Sequence, residues 1–302
     1  MLNAGIIGMG TISKYYLKGL KASNCLELVA ICDTNSDFAS RPLFKDYPFY
    51  EDYLEMIEKE GLDYVIISTP PKSHYEIALN SMKRGVNVII EKPAVLNMKE
   101  YDDLLKYAAD HNLIFEVSYH WQNGAEVIEF NKHYDARKIT EIHIHVDDPY
   151  SDDGININDD KIKLEGAFID SGVNALSLIN LWLPFEQISI NRVDTIKCPK
   201  TNLPIYAFVE LVIDGVLSTI EVDWRNGINN KESYVIYEGR RIDIKHSLQM
   251  IIDGDEIIDC KKMERLETHY YNYFKNYQEG EIKKQQSYRI HSVLFEVVSR
   301  YL

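Results

Sequence analysis

A chain of 302 residues can bury an ample core, and at roughly 100 to 200 residues per domain it divides most naturally into two domains. Apolar residues at 45%, charged residues at 26% and the lack of any low-complexity tract exclude a disordered chain. A net charge of -14 with no basic cluster excludes nucleic acid and acidic membrane surfaces as natural partners and leaves a small molecule.

Met1 to Met9 carries no basic leader pattern and already reads as a strand, and no apolar run approaches the roughly 18 residues of a membrane span, so a cytoplasmic protein is expected. The four cysteines, Cys25, Cys32, Cys198 and Cys260, form no CxxC pair and are expected as reduced thiols.

Over the first 120 residues, short apolar runs (Asn3 to Ile7, Leu26 to Cys32, Tyr64 to Ser68, Asn87 to Ile90, Ile114 to Ser118) alternate with helix-length segments. This alternation predicts an α/β domain, a parallel Rossmann sheet wrapped by helices. The first run leads into Gly8-Met-Gly10-Thr11-Ile12-Ser13, a GxGxx(G/S) turn in which glycines let a pyrophosphate approach the amides of a helix N-terminus. The second run ends at Asp33, where an acid can hold both ribose hydroxyls of an adenosine and repels a 2′-phosphate. NAD is therefore expected; NADP stays open because Arg41 could reach a phosphate, and Asp33 also suits a plain turn cap. The fourth element ends in Ser68-Thr69-Pro70-Pro71-Lys72-Ser73-His74 and the fifth in Glu91-Lys92-Pro93, both at strand ends where ligands of open α/β sheets bind.

After His120 the period changes. Ile142, Ile144 and Val146 alternate with polar residues, and similar runs recur at 188–193, 207–213, 217–224, 233–237 and 249–252, with Asp214-Gly215 and Asp253-Gly254 supplying hairpin turns. These predict an α+β domain with a mostly antiparallel open sheet. A helix is expected over 165–183, and closing helices over 264–277 and 288–302. The domains are expected at 1–120, binding dinucleotide, and 121–302, binding substrate and mediating oligomerisation. His143, His145 and Asp147 lie on one strand face at a spacing that could hold a metal, but a polar sheet face is the simpler account and no metal is expected. No serine elbow and no Walker motif is present, so hydrolase chemistry has no support.

The GxGxx(G/S), STPxxxH and EKP segments, in this order, resemble the family of glucose-fructose oxidoreductase, inositol dehydrogenase and the rhizopine-catabolism protein (Gfo/Idh/MocA). Glu165-Gly166-Ala-Phe-Ile-Asp170-Ser-Gly172-Val-Asn174 resembles its GGxxxDxGxH segment, with Asn174 in place of the histidine. The DxGxNALS form, with Asp223-Trp224-Arg225, is similar to the branch of L-arabinose and D-galactose 1-dehydrogenases. The resemblance implies Lys92 as acid-base group beside the nicotinamide, with Asp170 and Asn174 as its catalytic partners. It also implies a cofactor site of Gly8, Gly10, Thr11, Ile12, Asp33, Thr69, Pro70, His74 and Glu91, and a substrate site of His120, Asp147 (or Asp148) and Trp224. Asparagine cannot exchange protons near neutral pH, so proton transfer would fall to Lys92. Helix capping by Asp170 and Asn174, and simple packing by His120 and Trp224, are the alternative roles. The implied activity is NAD(P)-dependent oxidation of an aldose at C1 to a lactone, by a homodimer or homotetramer. Action at another carbon of a sugar, inositol or nucleotide-linked sugar is the alternative; a non-catalytic regulator fits less well, since Lys92 and Asp170 are retained.

Overall fold

The computed structural model describes residues 1–277 and 282–301. Strands and helices are numbered in chain order. The chain forms two compact units: Met1–Ser118 with the stretch that begins at Tyr270, and Tyr119–His269 with the chain from Gln286 on.

The first unit holds a parallel sheet of β1 (Leu2–Ile7), β2 (Leu26–Cys32), β3 (Phe49–Tyr50), β4 (Tyr64–Ile67), β5 (Asn87–Glu91) and β6 (Phe115–Ser118), in the order 3-2-1-4-5-6. The strands are apolar runs rather than alternations because helices cover both faces: all four residues of β4 are buried. Those helices are α1 (Ser13–Leu20), α2 (Tyr53–Glu60), α3 (His74–Met82) and α4 (Met98–Asp110). Local chemistry sets their ends. The Asp52 carboxylate accepts from the Leu54 amide at 2.8 Å at the start of α2, Gly61 closes it at φ 57°, and Asn97 caps α4 through the Glu100 amide at 3.0 Å. The strand order reverses between β1 and β4, and at such a switch point the loops diverge and open a crevice at the carboxyl edge.

The helix expected over 264–277 is present as α8 (Arg265–Lys275). Contrary to the expected 121–302 boundary, its residues from Tyr270 cluster with the first unit. The physical reason is aromatic. Tyr270, Tyr273, Phe274 and Tyr277 are buried in one core with Ala4, Ile6, Tyr16, Leu17 and Tyr64. A Cβ at Gly19 would stand 2.6 Å from the Tyr270 carbonyl oxygen, so glycine is what lets α1 and α8 approach.

The second unit holds β7 (Ile139–Asp147), β8 (Ile188–Lys197), β9 (Pro204–Ile213), β10 (Val216–Asp223), β11 (Asn230–Tyr237), β12 (Arg240–Lys245), β13 (Met250–Asp253) and β14 (Glu256–Asp259). Their order is 14-13-12-11-7-10-9-8, with β7 and β10 parallel and every other pair antiparallel. Asp214 (φ 51°) and Gly215 (φ 84°) turn the β9–β10 hairpin as expected; Glu238 and Gly239 do the same between β11 and β12, where no Asn or Asp announced it. The unit's helices are α5 (Ala125–His133), the short α6 (Asp159–Ile162), α7 (Val173–Trp182) and α9 (Ile282–Tyr301).

The expected 165–183 helix is not regular. It opens on left-handed Glu165 (φ 67°) and Gly166 (φ 112°), passes through a π turn at Phe168–Gly172, and only then becomes α7. Asp170 and Asn174 therefore do not share a regular α-helical face: the Asn174 Nδ2 group lies 3.5 Å from the Asp170 carbonyl oxygen, with Asp170 inside the π turn. Among the described residues no helix is long and apolar enough to cross a membrane.

Candidate active site

Four strand ends of the first unit build one edge. Gly8 follows β1 with φ 94°, and a Cβ there would stand 2.7 Å from the Thr69 amide nitrogen, so the β1 and β4 loops touch through a glycine. The Ser68 hydroxyl donates to the Gly8 carbonyl at 2.8 Å. Around Gly10, by contrast, nothing stands within 4 Å of a built Cβ, and Thr11 beside it is exposed. Ile12 precedes α1 without a side-chain cap, and Ser13 turns its hydroxyl back to the Gly10 carbonyl at 2.8 Å. Open space over a glycine at the start of a helix fits a pyrophosphate.

Asp33 closes the next strand. Its Oδ2 accepts from the Met9 amide at 2.6 Å and its Oδ1 from the Asn35 amide at 2.9 Å, so the acid caps its own turn and is fixed beside the glycine loop. Each carboxylate oxygen keeps acceptor capacity for a ribose hydroxyl. The Arg41 guanidinium lies over the Phe38 ring at 4.0 Å.

At the β4 and β5 ends, Thr69 is half-buried and Pro70 exposed, whereas His74 is buried with 1% exposure. Its Nδ1 meets the Pro93 carbonyl at 2.9 Å and its Nε2 the Thr69 carbonyl at 2.8 Å. Burial pushes its pKa down to about 4, against the pull of those carbonyls and with the Lys92 charge adding to the fall. His74 thus braces the two loops from inside instead of presenting its ring to a cofactor. Glu91 is likewise buried, its oxygens held by Tyr16, Tyr270 and the Lys92 amide. Lys92 itself is half-buried at the end of β5.

The second unit assembles a separate polar cluster. Asp170, with 8% exposure, sits in the π turn. The neighbouring Ser171 hydroxyl donates to Asp148 Oδ2 at 2.6 Å and accepts from the Trp224 indole at 3.3 Å. Lys231 Nζ meets Asp148 Oδ1 at 2.7 Å and donates to the Asp147 carbonyl at 2.7 Å. Burial lowers the Lys231 pKa even though Asp148 opposes the fall. Burial, then the charges of Asp170 and Asp148, push the Tyr150 hydroxyl far up, which keeps it protonated. Asn174 is buried with its Oδ1 lacking any donor.

Two expected substrate contacts are placed differently. Trp224 is fully buried, packed edge to face on Tyr150 with centroids 4.8 Å apart, so no ring face is open for a sugar to stack on. Asp147 turns away from the cluster, with Oδ2 on His145 Nε2 at 2.9 Å and Oδ1 accepting from Asn226 at 3.0 Å; Asp148, next in sequence, supplies the carboxylate instead. His120 is buried with its Nδ1 3.0 Å from Nδ1 of His269, so one of the two nitrogens carries the shared proton.

Residues 2–119 match the model of the oxidoreductase family with an NAD-binding Rossmann fold, GFO_IDH_MocA. Over these residues the chain is similar to the Gfo/Idh/MocA family. Its first unit is a Rossmann domain of the NAD-binding kind. The rhizopine catabolism protein MocA of Rhizobium meliloti is 23% identical over 193 residues, 64% of this chain and 60% of that protein. An inositol 2-dehydrogenase of Salmonella typhimurium is 28% identical over 140 residues, 44% of this chain and 38% of that protein. These matches thus span less than two thirds of the relatives' own lengths. In fold, UDP-N-acetylglucosamine 3-dehydrogenase from Acidithiobacillus ferrooxidans superposes with a TM-score of 0.81 at 16% identity, covering 98% of this chain and 96% of that one.

Sequence reasoning missed Tyr16, Tyr270, Tyr150, Lys231 and His269 as members of these clusters. Asp148 and Tyr150 lie beside a residue already singled out; Lys231 and Tyr270 carry no local signal, because only tertiary folding brings them to their partners. His143 and His145 form the polar sheet face: His143 Nδ1 meets Thr219 at 2.6 Å, and His145 bridges Glu221 and Asp147 at 3.0 and 2.9 Å. Burial works against a charge on His145, but those two carboxylates outweigh it and raise its pKa.

Proposed function

We propose that the protein is an NAD(P)-dependent dehydrogenase, NAD preferred, acting on a CH–OH group of a sugar. The observation that carries this is Lys92 at the carboxyl end of β5, in the same sheet whose β1 end opens over Gly10 and whose β2 end fixes Asp33. Gly8, Gly10, Thr11 and Ile12 would hold the pyrophosphate, Asp33 the ribose, and Thr69 and Pro70 the nicotinamide side. When bound, the cofactor supplies the acceptor for the hydride.

This chain's own residues do the remaining work. Lys92 Nζ takes the hydroxyl proton as the carbon gives up its hydrogen with both electrons and the C–O bond becomes a carbonyl. A positively charged nicotinamide bound beside Lys92 would lower the amine's proton affinity. Asp170 orients substrate, and Asn174 offers a buried acceptor to a hydroxyl but holds no exchangeable proton near neutral pH. For the carbon attacked, C1 of an unphosphorylated aldose follows from Asn174 in the family's histidine position; the Asp223–Arg225 ion pair at 2.7 Å and the buried Trp224 give that segment a structural role, so it adds nothing to the choice. A ring hydroxyl is the second reading, favoured by relatives named inositol 2-dehydrogenase and UDP-N-acetylglucosamine 3-dehydrogenase.

We also place the protein in the cytoplasm as a homodimer or homotetramer. The location rests on the absence of a basic leader pattern and the oligomer on the family resemblance; the sheet face bearing His143, His145, Thr219, Glu221 and Tyr234 is half-exposed and polar, so it is not the apolar face on which an oligomer would most readily close. Absorbance of reduced nicotinamide, followed with NAD or NADP and a panel of L-arabinose, D-galactose, D-glucose, myo-inositol and nucleotide sugars, tests the function. Turnover of a free aldose is expected; turnover of inositol or a nucleotide sugar alone would overturn the C1 assignment, and none with any substrate would overturn the enzyme.

A further inference from the structure

Lys92 is positioned through its motif neighbour Glu91 by two tyrosines that belong to no motif. Glu91, the last residue of β5, has 7% exposure. Its Oε1 accepts from the Tyr16 hydroxyl at 2.9 Å and from the Tyr270 hydroxyl, and its Oε2 accepts from the Lys92 amide at 3.1 Å. Both tyrosines are fully buried, with rings edge to face and centroids 4.7 Å apart. The carboxylate is therefore held from α1 on one side and from α8 on the other, and the backbone amide it grips is that of Lys92.

We propose that Tyr16, Tyr270 and Glu91 form a buried anchor behind Lys92, fixing the strand-end backbone and keeping a negative charge beside the ammonium. Tyr16 and Tyr270 are then positioning residues for proton transfer at Lys92, a role that rests on the function proposed above. Burial drives the Glu91 pKa up, and the Lys92 charge, Tyr270, Tyr16 and the Lys92 amide pull against that rise. Burial and the Glu91 charge push both phenols well above their ordinary range, so they stay protonated and remain donors. The other titratable groups around this anchor are Glu116, which accepts from Tyr273 at 2.8 Å and adds its charge near Tyr16, Tyr273 itself, and His74, held neutral beside Lys92.

A negative charge beside an ammonium favours its protonated form, so removing that charge lets the proton leave at lower pH. The test is the pH dependence of acylation of the Lys92 amine by acetic anhydride in the cofactor-free full chain, read on the Lys92 peptide by mass spectrometry. Glu91→Gln is expected to lower the midpoint by about one pH unit, a tenfold rise in free amine at a given pH below it. Tyr270→Phe and the Tyr16→Phe/Tyr270→Phe pair should shift it the same way by less. Tyr270→Phe keeps the carboxylate and decides the matter where Glu91→Gln fails to fold. An unmoved midpoint in folded variants, with only a lower melting temperature, would overturn the anchor and leave a packing role. Labelling needs no turnover, so the two ideas fail separately: a shifted midpoint with full activity in Lys92→Ala sinks the function of Lys92, not the anchor.

Discussion

The two units keep buried charge in different ways. In the first, Glu91 is surrounded by neutral donors, two phenols and an amide, with Lys92 outside them. In the second, charge meets charge: Lys231 pairs with Asp148 at 2.7 Å, both side chains largely buried. A site supported by neutral donors can be carried by one motif residue, whereas a site supported by charge pairs depends on partners from distant strands. The second kind also fails harder when one partner is removed, since the other is left as an uncompensated buried charge.

Acid separates the units most strongly. His269 and His291 in the second unit and His74 in the first are held neutral by burial, His74 and His291 down to about 4. An unfolded chain protonates each near about 6.5, so the stability they lend is complete above that pH and is lost as pH falls toward the folded values. Each proton contributes a slope of about 1.4 kcal/mol per pH unit. The second unit carries two such groups, opposed by His145, whose raised pKa adds stability as pH falls. The first carries one, opposed by Glu91, whose raised pKa adds stability as pH falls. Hydrogen exchange followed from neutral pH to about 4 should show amides of β11 and α7 losing protection before those of β1 and β4; the reverse order would break the comparison.

Next in size is Lys231→Met. It leaves Asp148 buried without its cation and should cost about 3 kcal/mol or more in denaturant unfolding, a cost that Asp148→Asn in the same chain should largely recover. Independent, additive losses would show that the pair is not the support of this cluster.

The smallest effects sharpen the contrast within one loop. Gly8→Ala places a Cβ against the Thr69 backbone at a left-handed φ and should cost about 1–3 kcal/mol of stability. Gly10→Ala meets only open space, so its unfolding midpoint should stay at the wild-type value while NAD affinity falls. Loss of stability without loss of affinity in Gly10→Ala would move the pyrophosphate elsewhere.

How far the sequence could be read follows the same division. Gly8, Gly10, Asp33 and Lys92 lie on strand ends, so a run of apolar residues followed by a motif locates them directly. His74 and Glu91 belonged to the same motifs, yet their polar atoms turned inward, because a motif records sequence position and not the direction of a side chain. In the second unit Asp170 and Asn174 are legible, but the π turn that holds Asp170 is not; Gly166, just before it, lies against Pro204, a neighbour 38 positions away in sequence. Tyr270 read only as part of an amphipathic helix, since periodicity shows that a face is buried and not which core receives it.

The most direct measurement compares wild-type and Lys92→Ala protein for NAD binding by fluorescence and for reduction of NAD with the best substrate of the panel. Binding should persist while turnover falls by a factor of about 10² to 10⁴, the usual contribution of a general acid or base. Near-native turnover in that variant would contradict the assignment of proton transfer to Lys92.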